Sequence, residues 1–233
     1  MTRVLFVLSA ADHWTLNDGT RHPTGFWAEE FATPYRIFSE AGWDLTVATP
    51  GGEPAVVDKV SLADGAGEPE TLEAVKRTLD ELAQVLESPE SLESVNAADF
   101  DLVFYPGGHG PMEDLATDTT SAAILEQRLQ ADAPLALLCH APAAVLATAD
   151  TEGTSPFVGR AMTGFTNEEE RAGGLAEKAP WLLEDRLIEL GVDFTKADEP
   201  FAPRVVVDGT LYTGQNPASS AELATRLVED LMA

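Results

Sequence analysis

Short apolar runs rich in β-branched residues alternate along this chain with longer segments of helical periodicity. Such alternation is typical of a parallel sheet with helices on both faces. The predicted strands are Val4 to Leu8, Leu45 to Ala48, Leu102 to Tyr105, Leu135 to Leu138, Arg160 to Gly164, and Val205 to Val207 pairing with Leu211 to Thr213. The predicted helices are Gly25 to Ala41, Thr71 to Leu86, Thr119 to Asp132, Ala141 to Ala147, Ala179 to Leu190 and Ser219 to Met232. We therefore expect an α/β fold with a doubly wound, mostly parallel sheet.

Reactive groups in such folds collect beyond the carboxyl ends of the strands. The segments that follow the predicted strands here are Ser9-Ala10, Pro106-Gly107-Gly108-His109, Cys139-His140 and Phe165-Thr166. These segments are the first candidates for a functional site.

Residues 51–98 interrupt the alternation with several glycines and prolines. Within them, Leu72, Val75, Leu79, Leu82 and Leu86 recur at helical spacing, which predicts one helix with an apolar face packed on the main body. We expect residues 1–233 to form one domain, with residues 51–98 as an inserted cap or flank.

The charge of the chain is unusual, because 40 acidic residues face 14 basic ones and the formal net charge is −26. A phosphate backbone would meet a repulsive surface, so no nucleic-acid partner is expected. Two explanations of the acidity remain open. Dense carboxylates suit a high-salt cytoplasm, where screening weakens self-repulsion, and they also serve ordinary solubility.

The chain has one cysteine, so it forms no internal disulfide, and a reducing cytoplasm is the simplest location. The apolar run after Arg3 is too short for a signal peptide, since Asp12, His13 and Asp18 follow closely. No stretch is long enough to cross a bilayer, so no membrane partner is expected.

Cys139 follows an apolar run of buried-strand type and precedes a predicted helix. A cysteine at such a turn points its sulfur over the sheet, near a helix N-terminus that lowers the thiol pKa, as in a nucleophile elbow. A buried cysteine acting as a small hydrophobe is the alternative.

The histidines limit which groups can act as a base. Only His13, His22, His109 and His140 are present, so a histidine base well downstream of the cysteine, as in papain-like enzymes, is excluded.

Five segments together resemble the PfpI superfamily, and within it the heat-shock-type glyoxalase III branch, also called D-lactate dehydratases. They are Thr24-Gly25-Phe26-Trp27-Ala28-Glu29-Glu30 with Pro34, Tyr105-Pro106-Gly107-Gly108-His109-Gly110, Cys139-His140-Ala141-Pro142, Thr163-Gly164-Phe165-Thr166-Asn167-Glu168-Glu169-Glu170, and Thr213-Gly214-Gln215-Asn216-Pro217-Ala218-Ser219. The resemblance covers nearly the whole chain in order. It implies a flavodoxin-like, class I glutamine-amidotransferase-like fold.

The resemblance also implies roles for individual residues. Cys139 is the nucleophile, His140 its partner, and Glu170 orients the imidazole; Glu168 or Glu169 replaces Glu170 if the turn lies elsewhere. Glu30 is preferred over Glu29, from its spacing to Pro34, as the carboxyl group that shares a proton with the sulfur. This sharing raises the carboxyl pKa and lowers that of the thiol.

The loop Gly107-Gly108-His109 lacks the lysine and spacing of a phosphate-binding motif. Its better use is an oxyanion hole or substrate contact, with the N–H groups of Gly108 and His140 as donors. Metal binding is not expected, because Cys139 and His140 are too close in sequence for easy joint ligation.

The activity implied is conversion of methylglyoxal, a small aldehyde, to D-lactate through a Cys139 hemithioacetal, without a cofactor. A homodimer is the implied assembly. A holding chaperone, a cysteine redox sensor, a protein deglycase and a peptidase are the alternatives, although no second cysteine is present to resolve a sulfenic acid.

Adaptation to high salt predicts that both stability and activity increase with salt, because screening relieves the repulsion among carboxylates. A series from dilute buffer to molar KCl, followed by thermal unfolding and by D-lactate formation, measures both. Full stability and activity in dilute buffer would contradict this explanation.

Overall fold

A computed structural model describes residues 1–232 of the chain. The strands are β1 Arg3–Val7, β2 His13–Thr15, β3 Arg21–Pro23, β4 Asp44–Thr49, β5 Glu90–Ser91, β6 Leu102–Tyr105, β7 Leu135–Leu138, β8 Ala161–Met162, β9 Asp193–Phe194, β10 Val205–Asp208 and β11 Leu211–Gly214. The α-helices are α1 Ala28–Glu40, α2 Pro69–Glu81, α3 Ala83–Glu87, α4 Gly110–Glu113, α5 Thr119–Gln130, α6 Asn167–Ala172, α7 Leu183–Leu190 and α8 Ser220–Met232. Short 3₁₀ helices cover Pro50–Gly52, Lys59–Leu62, Leu92–Ser94, Ala97–Asp99, Ala141–Thr148 and Pro217–Ser219.

Within residues 1–232, seven strands form the main sheet in the order β10-β11-β7-β6-β1-β4-β5. All neighbours are parallel except β10 and β11, which form the predicted antiparallel pair. The order extends outwards from β1 in both directions, which confirms the expected doubly wound α/β sheet. The loops after β1, β6 and β7 therefore meet at one edge of the sheet.

The side chains of β1 alternate between two apolar layers, as the period of a strand requires. Phe6 packs with residues of α1 and α8, whereas Leu5 and Val7 face the layer that includes α5 and the 3₁₀ helix Ala141–Thr148. All three side chains are fully buried. Both faces of the sheet are thus covered, and its carboxyl edge is a rigid platform for the loops above it.

Helix α1 begins at Ala28, three residues later than the sequence predicts. The N–H of Phe26 donates to the carbonyl of Val56, and the N–H of Trp27 donates to the carbonyl of Gly107. These two residues therefore bond to neighbouring segments of the fold and lie outside the helix. The predicted helix Thr71 to Leu86 is likewise divided at Leu82, whose backbone leaves the helical conformation.

The predicted strand Arg160 to Gly164 is too long. Only Ala161–Met162 is extended, and it pairs with β9 outside the main sheet. The predicted helix from Ala179 begins at Leu183. The hairpin of β2 and β3 was not predicted, because strands of three residues are too short to show alternation.

Residues 51–98 add the edge strand β5 to the main sheet and the helix α2, which packs on α1 through Val75, Ala28 and Ala32. Their role as an inserted cap within a single domain stays a prediction. Across residues 1–232, no helix combines the length and apolar character needed to cross a bilayer.

Candidate active site

Cys139 lies at the sharp turn that follows β7, with its backbone in the left-handed region at φ 61°. This conformation is uncommon for a residue with a side chain, and it turns the sulfur away from the sheet. The turn is pinned from both sides, since the N–H of Cys139 donates to the carbonyl of Gly214 and its carbonyl accepts from Phe165. The geometry matches the elbow that the sequence predicts, although the following helix is a 3₁₀ helix.

The side chains of Cys139, His140 and Glu170 form a continuous hydrogen-bonded row. Nδ1 of His140 lies 3.3 Å from Cys139 Sγ, and its Nε2 lies 2.8 Å from Glu170 Oε2. Burial and the neighbouring ring of His109 lower the pKa of His140 to about 4. The imidazole is therefore neutral near pH 7. With its Nε2–H donated to Glu170, Nδ1 is left to accept a hydrogen bond from the thiol.

Glu170 accepts from two histidines at once, because His109 Nε2 lies 2.9 Å from its other oxygen. Burial alone would raise the pKa of Glu170, but the hydrogen bonds from His109 and His140 outweigh it and hold this pKa below its usual value. Glu170 is thus a permanent anion that orients both rings. The ring of His109 in turn stacks on Trp14, with centroids 5.1 Å apart.

Glu30 reaches Cys139 from the first turn of α1, opposite His140. Its carboxyl group is fully buried, contacts the thiol, and accepts a hydrogen bond of 2.8 Å from the N–H of Gly107. Burial raises the pKa of Glu30 to about 8. Near pH 7 it therefore exists mainly as the carboxylic acid, as the resemblance implies.

The expected lowering of the thiol pKa is wrong. Cys139 is only 2% exposed and faces Glu30, so burial first and the carboxylate second raise the pKa of the thiol well above its usual value. One N–H, that of Gly108, donates towards the sulfur and acts in the opposite direction, but it does not outweigh burial.

Known proteins are similar to this chain over nearly its whole length. The DJ-1/PfpI family matches residues 23–230. This chain belongs to the DJ-1/PfpI family. Among curated relatives, a Staphylococcus aureus protein named protein/nucleic acid deglycase HchA is 27% identical over 99% of this chain and 80% of its own length.

Solved structures agree on the fold of this family member. The rapid encystment protein of 24 kDa from Francisella tularensis is 26% identical, with a TM-score of 0.87 over 99% of both chains. A glyoxalase III from Candida albicans is 22% identical, with a TM-score of 0.83 over 98% of this chain and 96% of its own. The family match over residues 23–230 confirms the superfamily that the sequence motifs indicate.

The three glutamates of α6 and the two at the start of α1 are now distinguished by position. Glu168 is exposed, and Glu169 is buried as a structural anchor that accepts from Gln215, Asn216 and the N–H of Phe201. Glu170 is therefore the one that reaches His140. Glu29 lines the cleft above Cys139, whereas its neighbour Glu30 reaches the sulfur.

An open cleft of about 930 Å³ leads to Cys139. Its walls come from segments far apart in the chain, and only some of them carried a signal in the sequence. Its lining includes Trp27, Asp58, Val60, Asp64, Glu68, Gly108, His109, His140, Phe165, Phe201 and Asn216. Gly108, His109, His140 and Phe165 belong to segments that follow predicted strands, and Trp27 and Asn216 belong to the five motifs. The remaining five carried no such signal.

His109, His140 and Glu170 are the described residues best placed to hold a metal, with ligand atoms within 4.8 Å of one another. Each histidine already places Nε2 within hydrogen-bond distance of Glu170, which accounts for the arrangement without an ion. The absence of a metal stays a prediction, as do the catalytic role of each residue and the oxyanion hole.

Gly107 allows Glu30 and the Cys139 turn to approach each other, so Gly107→Ala should destabilise the protein by about 1–3 kcal/mol through overpacking. A Cβ there would lie 2.5 Å from the carbonyl oxygen of Leu138 and 2.7 Å from Glu30 Oε2. Gly173→Ala is the matched control, since its Cβ would meet only atoms at 3.4 Å or more. Urea unfolding of both variants measures the difference, and equal stability would refute the packing argument.

Proposed function

We propose that this protein is a glyoxalase III, a lyase that converts methylglyoxal to D-lactate without glutathione or another cofactor. The observation that carries the proposal is the placement of Cys139 between two proton-transfer groups. Glu30, with a pKa near 8, lies on one side, and neutral His140, held by Glu170, lies on the other. An internal redox reaction of an α-oxoaldehyde needs such a set: one nucleophile and groups that move protons between adjacent carbons.

The reaction begins in the form of the Glu30–Cys139 pair that holds a single proton. Sulfur attacks the aldehyde carbon, and the proton passes to the aldehyde oxygen through Glu30, giving a hemithioacetal. The N–H groups of Gly108 and His140 are the proposed donors to the oxyanion that develops.

Glu30, now a carboxylate, removes the hydrogen from the hemithioacetal carbon and returns it to the adjacent carbon through an enediol. A carboxylate with a raised pKa is a stronger base than an ordinary one, which suits this step. The product is a thioester of lactate. His140 Nδ1 then activates a water that cleaves the thioester, and the thiol recovers its proton, so methylglyoxal and one water yield one lactate.

Purified protein incubated with methylglyoxal in the absence of glutathione should form D-lactate. Cys139→Ala should form none, because no hemithioacetal is possible, and Glu30→Gln should lose about 10²–10⁴-fold in kcat. Glu168→Gln, an exposed glutamate on the same helix as Glu170, is the control and should match wild type. The proposal fails if wild type makes no D-lactate or if Cys139→Ala makes as much.

The pH profile tests the proton route. Glu30 with a raised pKa must lose a proton before the pair reaches its one-proton form, so kcat/KM should rise as pH increases from 6 and level off above about 8. His140, with a pKa of about 4, stays neutral throughout that range and adds no second rise. A kcat/KM that falls as pH passes through 8 would instead require Glu30 as a permanent acid, and would refute this route.

A protein deglycase is the second candidate. Curated relatives are named protein/nucleic acid deglycase, and a cleft of about 930 Å³ is larger than a three-carbon aldehyde requires. An assay with N-acetylarginine pretreated with methylglyoxal, with free aldehyde scavenged, separates the two activities. The homodimer and the cytoplasmic location stay predictions.

A further inference from the structure

The cleft is lined by carboxylates without compensating cations. Glu29, Asp58, Asp64 and Glu68 belong to its lining, which contains no lysine or arginine. Among the ion pairs formed within residues 1–232, none involves these four carboxylates. The negative field in the cleft is therefore not neutralised locally.

Asp64 and Glu68 are the two carboxylates best placed to act on an entering molecule, because both are exposed on the loop that precedes α2. Asp58, in contrast, accepts hydrogen bonds from Thr24 Oγ1 and from the N–H of Val60. Burial raises the pKa of Glu29, which favours its neutral form. A cleft lined by one sign of charge concentrates ions of the opposite sign and repels those of the same sign.

Other parts of the cleft lining are apolar and aromatic. Phe165 and Phe201 lie with ring centroids 6.2 Å apart, and Phe165 packs on the ring of His140. Phe201 is 49% exposed and Val60 is 60% exposed, so both present apolar surface to an incoming molecule. Aromatic faces bind apolar groups and cations well, and anions poorly.

We propose that the cleft selects neutral or cationic α-oxoaldehydes and rejects those that carry a carboxylate or a phosphate. This inference rests on the proposed function, because it names the substrate class of the same site. Atoms and electrons balance as for methylglyoxal, since each aldehyde takes up one water and gives one 2-hydroxy acid.

Three aldehydes that share the same phenyl ring and differ in charge test the proposal. They are phenylglyoxal, its 4-carboxy derivative and its 4-trimethylammonio derivative. At low salt, kcat/KM for the neutral and cationic compounds should exceed that for the carboxylate at least about tenfold. The ratio should shrink in 1 M KCl, where screening is complete within a few ångströms. Equal values at low salt would overturn the proposal.

A charge-matched pair of double variants separates the cleft from the acidic surface as a whole. Asp64→Asn with Glu68→Gln should raise the kcat/KM of the carboxylate relative to phenylglyoxal several-fold. Asp193→Asn with Glu229→Gln removes two exposed charges that do not line the cleft, and should leave the wild-type ratio. An equal change in both double variants would assign the selection to net charge, and the proposal for the cleft would be wrong.

Two further results distinguish failure of the proposed function from failure of the charge selection. If wild type converts neither methylglyoxal nor phenylglyoxal, the proposed function fails. If it converts methylglyoxal only, inhibition of that reaction decides, and phenyltrimethylammonium should inhibit at concentrations at least tenfold below benzoate. Equal or stronger inhibition by benzoate overturns the charge selection while the proposed function stands.

Discussion

The contact of the Glu30 carboxyl group with Cys139 is the constraint on which the site depends. It exists because the loop after β6 passes between α1 and the Cys139 turn without a side chain at Gly107, and donates its N–H to Glu30. The same loop accepts from the N–H of Trp27 and so sets where α1 can begin. Removing Glu30 from water in this way costs the ionised form its solvation, which is why its pKa rises.

The other side of the sulfur is organised by opposite electrostatics. Glu170 is kept ionised by hydrogen bonds from two imidazoles, whereas Glu30 has only one N–H and a thiol. Glu30, which contacts the sulfur, and Glu170, which lies behind His140, therefore differ in protonation because their hydrogen-bond partners differ. Enzymes that transfer protons near neutral pH often contain two carboxyl groups of this kind, one kept protonated and the other kept ionised by its surroundings.

The acidity of the whole chain and the chemistry of the site are separate features. The groups around Cys139 are almost completely buried, and their protonation is governed mainly by burial and by hydrogen bonds from neighbouring groups. The two features come together in the cleft, whose lining contains both the exposed carboxylates Asp64 and Glu68 and aromatic side chains. In the proposal above, the charge of these carboxylates contributes to substrate recognition.

The sequence by itself determined most of the sheet and the elbow at Cys139, and its motifs indicated Glu30 and His140 but left Glu168 and Glu169 open as alternatives to Glu170. These follow from local signals, namely apolar periodicity, the position of a cysteine after a buried strand, and five motifs in order. Only the tertiary structure decided the direction of the thiol pKa, the attachment of His109 to Glu170 and to Trp14, and the walls of the cleft. Burial and contacts between segments a hundred residues apart depend on how the loops pack, and no local pattern encodes that packing. For the same reason, the short strands β2, β8 and β9 were missed or misplaced, because each is held by a distant partner rather than by its own propensity.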